Sequence, residues 1–176
     1  MNVPVLTTER LVLRRHQLED FEPASAMWAS PDVVRHIGGR PFTKQETWFR
    51  LLRYVGHWEL QGYGFWAVEE RETGRFVGEL GFADFQRELT PPLGAGTPEM
   101  GWALVPSAHG RGYATEALSA ALAWGDAHFE VARSVCIIDP GNLASVRVAE
   151  KLGFRAYAAA TLGGAPTRLF ERPFVR

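Results

Sequence analysis

The sequence predicts an α/β fold of the layered (α+β) kind, in which helices flank a mixed, mostly antiparallel sheet. Strand-like and helix-like segments follow one another as strand, two helices, three strands, helix, strand, helix and two strands. A mixed order of this kind, with a β-hairpin inside it, indicates a sheet that is partly antiparallel. With 176 residues, no internal repeat and no low-complexity segment, the chain has the length of a single domain over 1–176.

The first sixty residues predict one strand and two helices. Residues 11–13, flanked by charged residues, form the first strand. A helix is expected over 18–29, because acidic side chains near its start suit the helix dipole, and Pro31 breaks the pattern. Thr43 and Glu46 then form a capping-box signal. The helix that follows carries apolar side chains at helical spacing, at Trp48, Leu51, Leu52 and Val55.

The central part of the chain predicts three strands. Residues 65–68 and 76–80 lie on either side of a Thr-Gly turn and form a β-hairpin. Residues 89–98 are rich in proline and glycine, which favours a loop. Residues 99–105 form the next strand, and Pro106 ends it.

The last part of the chain predicts helices that alternate with strands. Residues 112–129 form a helix whose apolar face consists of small side chains, so this helix can lie close to a sheet. A short apolar strand at 135–138 is followed by a helix over 142–152, with Gly153 at the C-terminal cap. The chain is completed by two short strands, around 154–158 and 168–170.

Composition and charge narrow the classes of function. A net charge of −1 gives no electrostatic reason to expect nucleic acid or a membrane as a partner. No apolar run approaches the roughly 20 residues that span a bilayer, and the N-terminus lacks a secretory-signal pattern, so we expect a cytoplasmic protein. Cys136 is the only cysteine and lies in an apolar strand, where we expect an inert thiol. The histidines lack metal-ligand spacing, so we predict no metal.

The segment from Pro106 to Glu116 lies between a strand and a helix and contains Gly110 and Gly112. Glycines there allow a tight turn that presents several N–H groups to one anion, and the helix dipole adds positive potential. A phosphate or diphosphate is the expected ligand, and a glycine turn without a ligand is the alternative. A Walker loop would need Lys followed by Ser or Thr, and a dinucleotide fingerprint would need Gly or Ala at Thr115; neither fits.

Four segments together resemble the GNAT acetyltransferases, and most closely their RimJ/RimL branch of ribosomal-protein N-terminal acetyltransferases. Residues 109–117, His-Gly-Arg-Gly-Tyr-Ala-Thr-Glu-Ala, resemble the loop that binds the diphosphate of acetyl-CoA in that family. Residues 8–14 resemble its opening strand, 99–106 its central strand and 142–154 its last helix. The matches occur in order over most of the chain and are specific as a set.

The resemblance implies a GNAT fold whose sheet splays open between its fourth and fifth strands, 99–105 and 135–138. The pantetheine arm of the cosubstrate acetyl-CoA would lie in that opening, and its diphosphate would bind main-chain N–H groups of the glycine loop. His109 departs from the Gln or Arg usual in the family, so we expect weakened or unchanged affinity. The cofactor-binding residues implied are Ala103, Leu104, Val105, His109, Gly110, Arg111, Gly112, Tyr113, Ala114, Thr115, Asn142 and Ser145.

Direct acetyl transfer requires an amine that loses a proton, a polarised thioester carbonyl and a stabilised thiolate. A tyrosine on the last helix often protonates the thiolate in this family, but Ala149 stands at the matching position. By resemblance to the ribosomal branch, Ser145 takes that role. Glu99 is the first candidate for the base and Asp84 the weaker one. Three of the site residues also have a purely structural interpretation. Asn142 suits an N-cap, Ser145 suits the first turn of a helix, and Glu99 suits a solvated strand end.

The function that the resemblance implies is transfer of acetyl from acetyl-CoA to a primary amine, on a small molecule or a protein N-terminus. The alternative is a catalytically weak acetyl-CoA-binding module that acts as a sensor or interaction partner, because the tyrosine is missing and the base is uncertain. The sequence is compatible with a homodimer, although no motif specifies one. The residues implied as walls of the acceptor pocket are Trp28, His36, Trp48 and Phe85.

Overall fold

The computed structural model describes residues 3–94 and 96–175. In chain order its elements are β1 (Leu6–Thr7), β2 (Leu11–Arg14), α1 (Phe21–Trp28), α2 (Pro31–Val34), α3 (Lys44–Gln61), β3 (Phe65–Glu70), β4 (Phe76–Ala83), β5 (Leu89–Thr90), β6 (Glu99–Leu104), α4 (Tyr113–His128), β7 (Arg133–Ile138), α5 (Leu143–Lys151), β8 (Arg155–Leu162) and β9 (Ala165–Pro173). Short 3₁₀ turns, Leu18–Asp20 and Pro106–Ala108, come before α1 and α4.

The strands form one nine-stranded sheet in the order β1-β2-β3-β4-β6-β7-β9-β8-β5. Neighbouring strands are antiparallel except for β6 and β7, which are parallel. Within the described residues, β6 and β7 are in register at Glu99 and Val135 and then diverge. The layered α/β class, the mostly antiparallel sheet and the opening between the fourth and fifth expected strands are therefore confirmed.

Helix α4 packs against the sheet through the small side chains that the sequence indicated. Ala117, Ala121 and Gly125 on this face are buried. A side chain added at Gly125 would come within 2.8 Å of Phe82 on β4 and 3.0 Å of Phe174. Glycine is therefore required here by close approach, and it sets how near the helix lies to the sheet.

Helix α3 buries a face that combines apolar and polar side chains. Thr47, Leu51, Tyr54 and Trp58 are the buried residues, whereas Leu52 is 47% and Val55 45% exposed. The capping box at its start, from Thr43 to Glu46, is confirmed. The predicted helix is present, but apolar spacing alone does not show its buried face, because polar Thr47 and Tyr54 lie on that face beside Leu51.

Several short elements were not expected from the sequence. Helix α2 starts at Pro31, because a proline is tolerated in the first turn of a helix. The predicted loop over 89–98 contains β5, which pairs with β8. The two terminal strands are longer than predicted and join through the Gly163-Gly164 turn. Among the described residues, no helix is both long and apolar enough to cross a bilayer.

The contact at Gly125 gives a test of the packing of α4. We expect Gly125→Val to lower the free energy of unfolding by about 1–3 kcal/mol, because the added side chain overlaps Phe82. The matched control is Gly56→Val on α3, where a side chain would meet open space and the change should stay within about 0.5 kcal/mol. Urea unfolding measures both, and equal effects would contradict the close packing.

Candidate active site

The divergence of β6 and β7 opens a cavity of about 670 Å³. Its walls are β6 on one side and the end of β7 with the start of α5 on the other, and α1, α3 and the segment after α2 close its far end. The structure therefore brings together residues that are distant in the sequence. The sequence-predicted site residues that line it are Trp28, His36, Phe85, Glu99, Ala103, Asn142 and Ser145.

The edge of β6 that faces the opening carries free main-chain groups. The N–H of Val105 donates to the carbonyl of Val77 at 3.0 Å, so it points toward β4. Because successive residues of a strand point their polar main-chain groups to opposite edges, those of Trp102 and Leu104 face the opening. The expected main-chain set, Ala103 to Val105, stays a prediction. Among the described residues, the groups that face the opening without a protein partner are those of Trp102 and the N–H of Leu104, because the carbonyl of Leu104 accepts from His109 and the N–H of Val105 is already used.

The loop after β6 presents a run of amides without acceptors. Its first turn is closed by Ala108 N–H to Val105 and His109 N–H to Pro106. Gly110 and Gly112 then adopt φ values of 73° and 79°, which are left-handed and favour glycine. Across residues 3–94 and 96–175, no protein group accepts a hydrogen bond from the N–H groups of residues 110–115. Unpaired amides at the start of a helix form an anion site.

The side chains of this loop point away from the amides and hold the loop in place. His109 Nε2 lies 2.9 Å from the carbonyl oxygen of Leu104, to which it can only donate. Arg111 Nη1 donates to Glu70 at 2.7 Å, and Tyr113 OH donates to the same carboxylate at 3.0 Å. Three of the predicted coenzyme residues thus have side chains with structural partners. The main-chain N–H groups of Arg111 and Tyr113 are left for a ligand, whereas that of His109 already donates to Pro106.

Glu70, at the end of β3, is the main anchor of the loop and was not identified from the sequence. Four side chains donate to its carboxylate: Thr73, Arg75, Arg111 and Tyr113. These hydrogen bonds, of which that from Thr73 has the largest effect, lower the pKa of Glu70 from 4.5 to about 2. An isolated Glu-Glu pair at a strand end gives no sequence signal for such a role.

A second acid, Glu116 on α4, anchors the other side of the loop. It accepts from Thr8 Oγ1 at 2.6 Å and from the main-chain N–H and Nε of Arg10 at 2.9 and 2.7 Å. Arg10 also donates to the carbonyl of Arg111 at 3.0 Å. These contacts bind the start of α4 to the segment before β2, so the loop has a rigid base on its outer side.

Asn142 and Ser145 stand at the start of α5, on the wall opposite β6. Asn142 Oδ1 accepts from the N–H of Ser145 at 3.1 Å, so the N-cap interpretation is correct for its oxygen. The hydroxyl of Ser145 has no protein partner among the described residues and lies at the cavity. Ala149 is fully buried in the core and provides no proton donor.

Glu99 is buried where β6 and β7 part, and it is bound by Arg87. Arg87 Nε and Nη2 donate to its two oxygens at 2.6 and 2.8 Å. The interpretation of Glu99 as a solvated strand end is therefore wrong, since it is only 5% exposed. Asp84, the weaker candidate, binds Gln86 and does not line the cavity. Burial, and to a lesser degree the charge of Glu99, raises the pKa of the Cys136 thiol.

The far end of the cavity is aromatic and rich in arginine. Trp28, Phe42, Phe65 and Phe85 contribute ring surface, whereas Trp48 packs against Phe21 and does not line the cavity. His36 Nδ1 lies 3.4 Å from Asp139 Oδ1, so a contact between the segment after α2 and the end of β7 crosses the cavity. The lining residues that sequence reasoning missed include the polar side chains of Arg50, Arg53, Tyr54 and Arg87.

A buried polar network supports this end from below. Glu79, in the middle of β4, is 2% exposed and accepts from Trp28 Nε1 and Tyr54 OH, both at 2.8 Å. Burial, with the nearby charge of Glu79, raises the pKa of Tyr54. The network fixes the orientation of Trp28 and Tyr54, which line the cavity. The spacing of Arg50, Arg53, Tyr54 and His57 on one side of α3 was the available signal.

The profile of the acetyltransferase (GNAT) domain matches residues 10–155. The chain is 31% identical over 175 residues to the uncharacterized protein YkkB of Bacillus subtilis. The alignment covers 95% of this chain and 94% of the relative. An acetyltransferase from Agrobacterium tumefaciens matches with a TM-score of 0.84 and 29% identity, over 98% of this chain and 95% of that one.

RimL, a ribosomal L7/L12 alpha-N-protein acetyltransferase whose structure holds coenzyme A, matches over 97% of this chain and 98% of that one. Its TM-score is 0.78 at 15% identity, a likeness of the fold alone. The match of the domain profile over residues 10–155, most of the chain, settles the family. The chain belongs to the GNAT acetyltransferase family.

The anchor at Glu70 predicts a pH-dependent stability. Because its folded pKa is lower than its ordinary value, the carboxylate stabilises the fold fully above about pH 4.5, and this contribution is lost as the pH falls through about 2. Glu70→Gln should lower Tm at neutral pH, and its difference from the wild type should shrink over that window. The control is Glu72→Gln, an exposed neighbour. A Tm difference that stays constant on acidification would contradict the anchor.

Proposed function

We propose that this protein is an N-acetyltransferase that moves an acetyl group from acetyl-CoA to a primary amine by direct attack. The observation that carries the proposal is the run of unpaired amides at residues 110–115, placed at the end of a strand whose free edge faces a cavity. Because the anion site follows directly on the open strand edge, the two together suit an extended ligand with a diphosphate at one end.

The described residues fit the coenzyme at both parts. The amides of the loop would hold the diphosphate, and the main-chain groups of Trp102 with the N–H of Leu104 would hold the amide-bearing pantetheine arm, as another strand would. The Nδ2 group of Asn142 is available to the same arm, because only its oxygen is used by the N-cap. When bound, acetyl-CoA supplies a thioester that is activated toward attack by an amine.

Three groups of the chain perform the chemistry in this proposal. A main-chain N–H of the free β6 edge polarises the carbonyl, since its donor is fixed and already desolvated. Ser145, with its hydroxyl at the cavity, donates to the departing sulfur. Glu99 accepts the proton of the amine, and Arg87 releases one of the carboxylate oxygens when this happens.

The acceptor binds at the far end of the cavity, against the rings of Trp28, Phe42 and Phe85. We infer membership of the RimJ/RimL branch from the four segments of the sequence that resemble it. The proposal covers a small-molecule amine or a protein N-terminus, which the same cavity can admit because it is open on one side.

The function is tested with purified protein, acetyl-CoA and a panel of primary amines. Release of free thiol and a mass gain of one acetyl group on an amine support the proposal. Calorimetry with acetyl-CoA alone provides an independent measure of binding. Binding without acetylation of any amine would instead support a coenzyme-binding sensor, and no binding at all would overturn both.

The glycine loop predicts which of its residues matter for affinity. Gly112→Val should weaken acetyl-CoA binding about tenfold or more, because a left-handed residue other than glycine costs about 1–2 kcal/mol and the amides shift. His109→Ala should change affinity less than about threefold, since its ring is bound to Leu104 and the donors are main-chain groups. Calorimetry measures both, and a complete loss of binding in His109→Ala would contradict main-chain recognition.

The role of Ser145 is tested by kinetics. Ser145→Ala should lower kcat by about 10²-fold, the typical contribution of a general acid, with little change in acetyl-CoA affinity. Ser119→Ala on α4 is the matched control, because its exposed hydroxyl donates to Thr115 within its own helix. An unchanged kcat in Ser145→Ala, with chemistry shown to limit the rate, would remove Ser145 from the mechanism.

A further inference from the structure

The end of the cavity that faces the acceptor carries an excess of positive charge. Four arginines line it: Arg35, Arg50, Arg53 and Arg87. Arg35 is paired with Asp32 at 2.8 Å, and Arg87 is paired with Glu99. Within the part of the chain that the structure describes, neither Arg50 nor Arg53 forms an ion pair with a carboxylate. Neither guanidinium group contacts a carboxylate directly, although the buried charge of Glu79 acts on Arg50 through Tyr54.

Arg50 is held in a fixed position and still has donors to spare. Its Nη1 donates to Tyr54 OH at 3.0 Å, and its guanidinium lies 4.0 Å from the ring centre of Trp28. Its Nε is buried and has no acceptor among residues 3–94 and 96–175. A buried donor without a partner destabilises the fold, so an acceptor supplied by a ligand would relieve that penalty.

Arg53 lies one turn further along α3, beside the same space. Its guanidinium lies 4.7 Å from the ring centre of Phe85 and 5.7 Å from that of Tyr54, and these two rings orient it. Burial lowers the pKa of Arg53, and the charges of Arg50 and Arg87 lower it further. Neighbouring positive charges that repel one another without a carboxylate between them attract an anion.

The acidic groups near the acceptor end are engaged. Both oxygens of Glu99 accept from Arg87. Asp139 accepts from the N–H of Gly141 at 2.6 Å and lies beside His36. Glu79 is buried beneath Tyr54 and does not line the cavity. A substrate with several positive charges would therefore find few acidic partners here.

The aromatic faces, which could otherwise bind an ammonium group, are already covered by guanidinium groups. Arg50 covers Trp28 and lies 4.9 Å from the ring centre of Phe42. Arg53 and Arg87 both lie 4.7 Å from the ring centre of Phe85. Cation–π binding of a polyamine at these rings would require displacing them. The chemistry of this end thus favours anions over polycations.

Resting on the proposed N-acetyltransferase function, we propose that the acceptor is an amine that carries a carboxylate close to its amino group. The carboxylate binds between Arg50 and Arg53, whose planar donors suit its two oxygens. The amino group then points along the cavity toward Glu99 and Ser145.

The test compares amines that differ in one charge. L-phenylalanine and L-methionine are each assayed with acetyl-CoA beside their α-amides, with spermidine as a polycation. We expect kcat/KM for each acid to exceed that for its amide by about 10- to 100-fold, the range of a charge-assisted hydrogen bond. Calorimetry of the same pairs with the coenzyme A complex repeats the comparison without turnover.

Two variants assign the effect to the arginines. Arg53→Gln should bring the acid-to-amide ratio toward one, and Arg50→Lys, which keeps the charge but loses the planar fork, should lower it less. Arg155→Gln, an exposed arginine outside the cavity, is the matched control. Tm and acetyl-CoA affinity equal to the wild type show that each variant is folded.

The outcomes separate the two proposals. Acids that bind better than amides in an Arg53-dependent way, but are not acetylated, would support carboxylate recognition and contradict the transferase function. Acids that bind or react no better than their amides, or a preference for spermidine, would overturn carboxylate recognition whether or not acetylation is seen.

Discussion

The structure depends on one interruption in main-chain pairing. β6 and β7 run parallel, share the pair Glu99 and Val135, and then separate. Parallel strands normally stay paired, because unpaired polar main-chain groups are costly away from water. The free edge of β6 therefore requires another partner, and the cavity, the glycine loop and the N-terminus of α5 are all arranged around it. Closing the gap would remove the site without disturbing the rest of the sheet.

Charge is distributed unequally along the site. At the loop, carboxylates lie behind the chain: Glu70 and Glu116 bind side chains and leave the amides on the other side free. At the opposite end, arginines line the open space and carboxylates lie beneath it or are paired. An anion at the loop would therefore meet main-chain dipoles, whereas an anion at the far end would meet side-chain charge.

Much of the fold and part of the site could be predicted from the sequence, for identifiable reasons. The glycine loop, the small-residue face of α4 and the N-cap Asn142 could each be predicted, because the residues that carry each signal lie close together in the sequence. The buried face of α3 could not be predicted, because it includes Thr47 and Tyr54, whose burial no local pattern reveals. The partner of Glu99 could not be found either, since Arg87 lies in an irregular segment and meets Glu99 only after folding.

Three of the residues that sequence reasoning missed, two at the cavity and one beneath it, share one property. Arg50, Arg53 and Glu79 are charged residues within a helix or strand, where charge usually indicates a solvated face. Their role follows from the cavity that α3 and β4 enclose together, and this is a tertiary feature. Polar residues that alternate with apolar ones on a helix are for this reason ambiguous until the neighbouring layer is known.

The contact between Gly125 and Phe82 has a consequence at the other end of α4. Twelve residues separate Gly125 from Tyr113, so the helix behaves as a stiff rod roughly 18 Å long between them. Lifting one end from the sheet tilts the other, where the amides of the loop begin. The position of those amides therefore depends on a steric contact at the far end of the helix. Substitutions at that contact during evolution would move the amides without changing any residue of the loop.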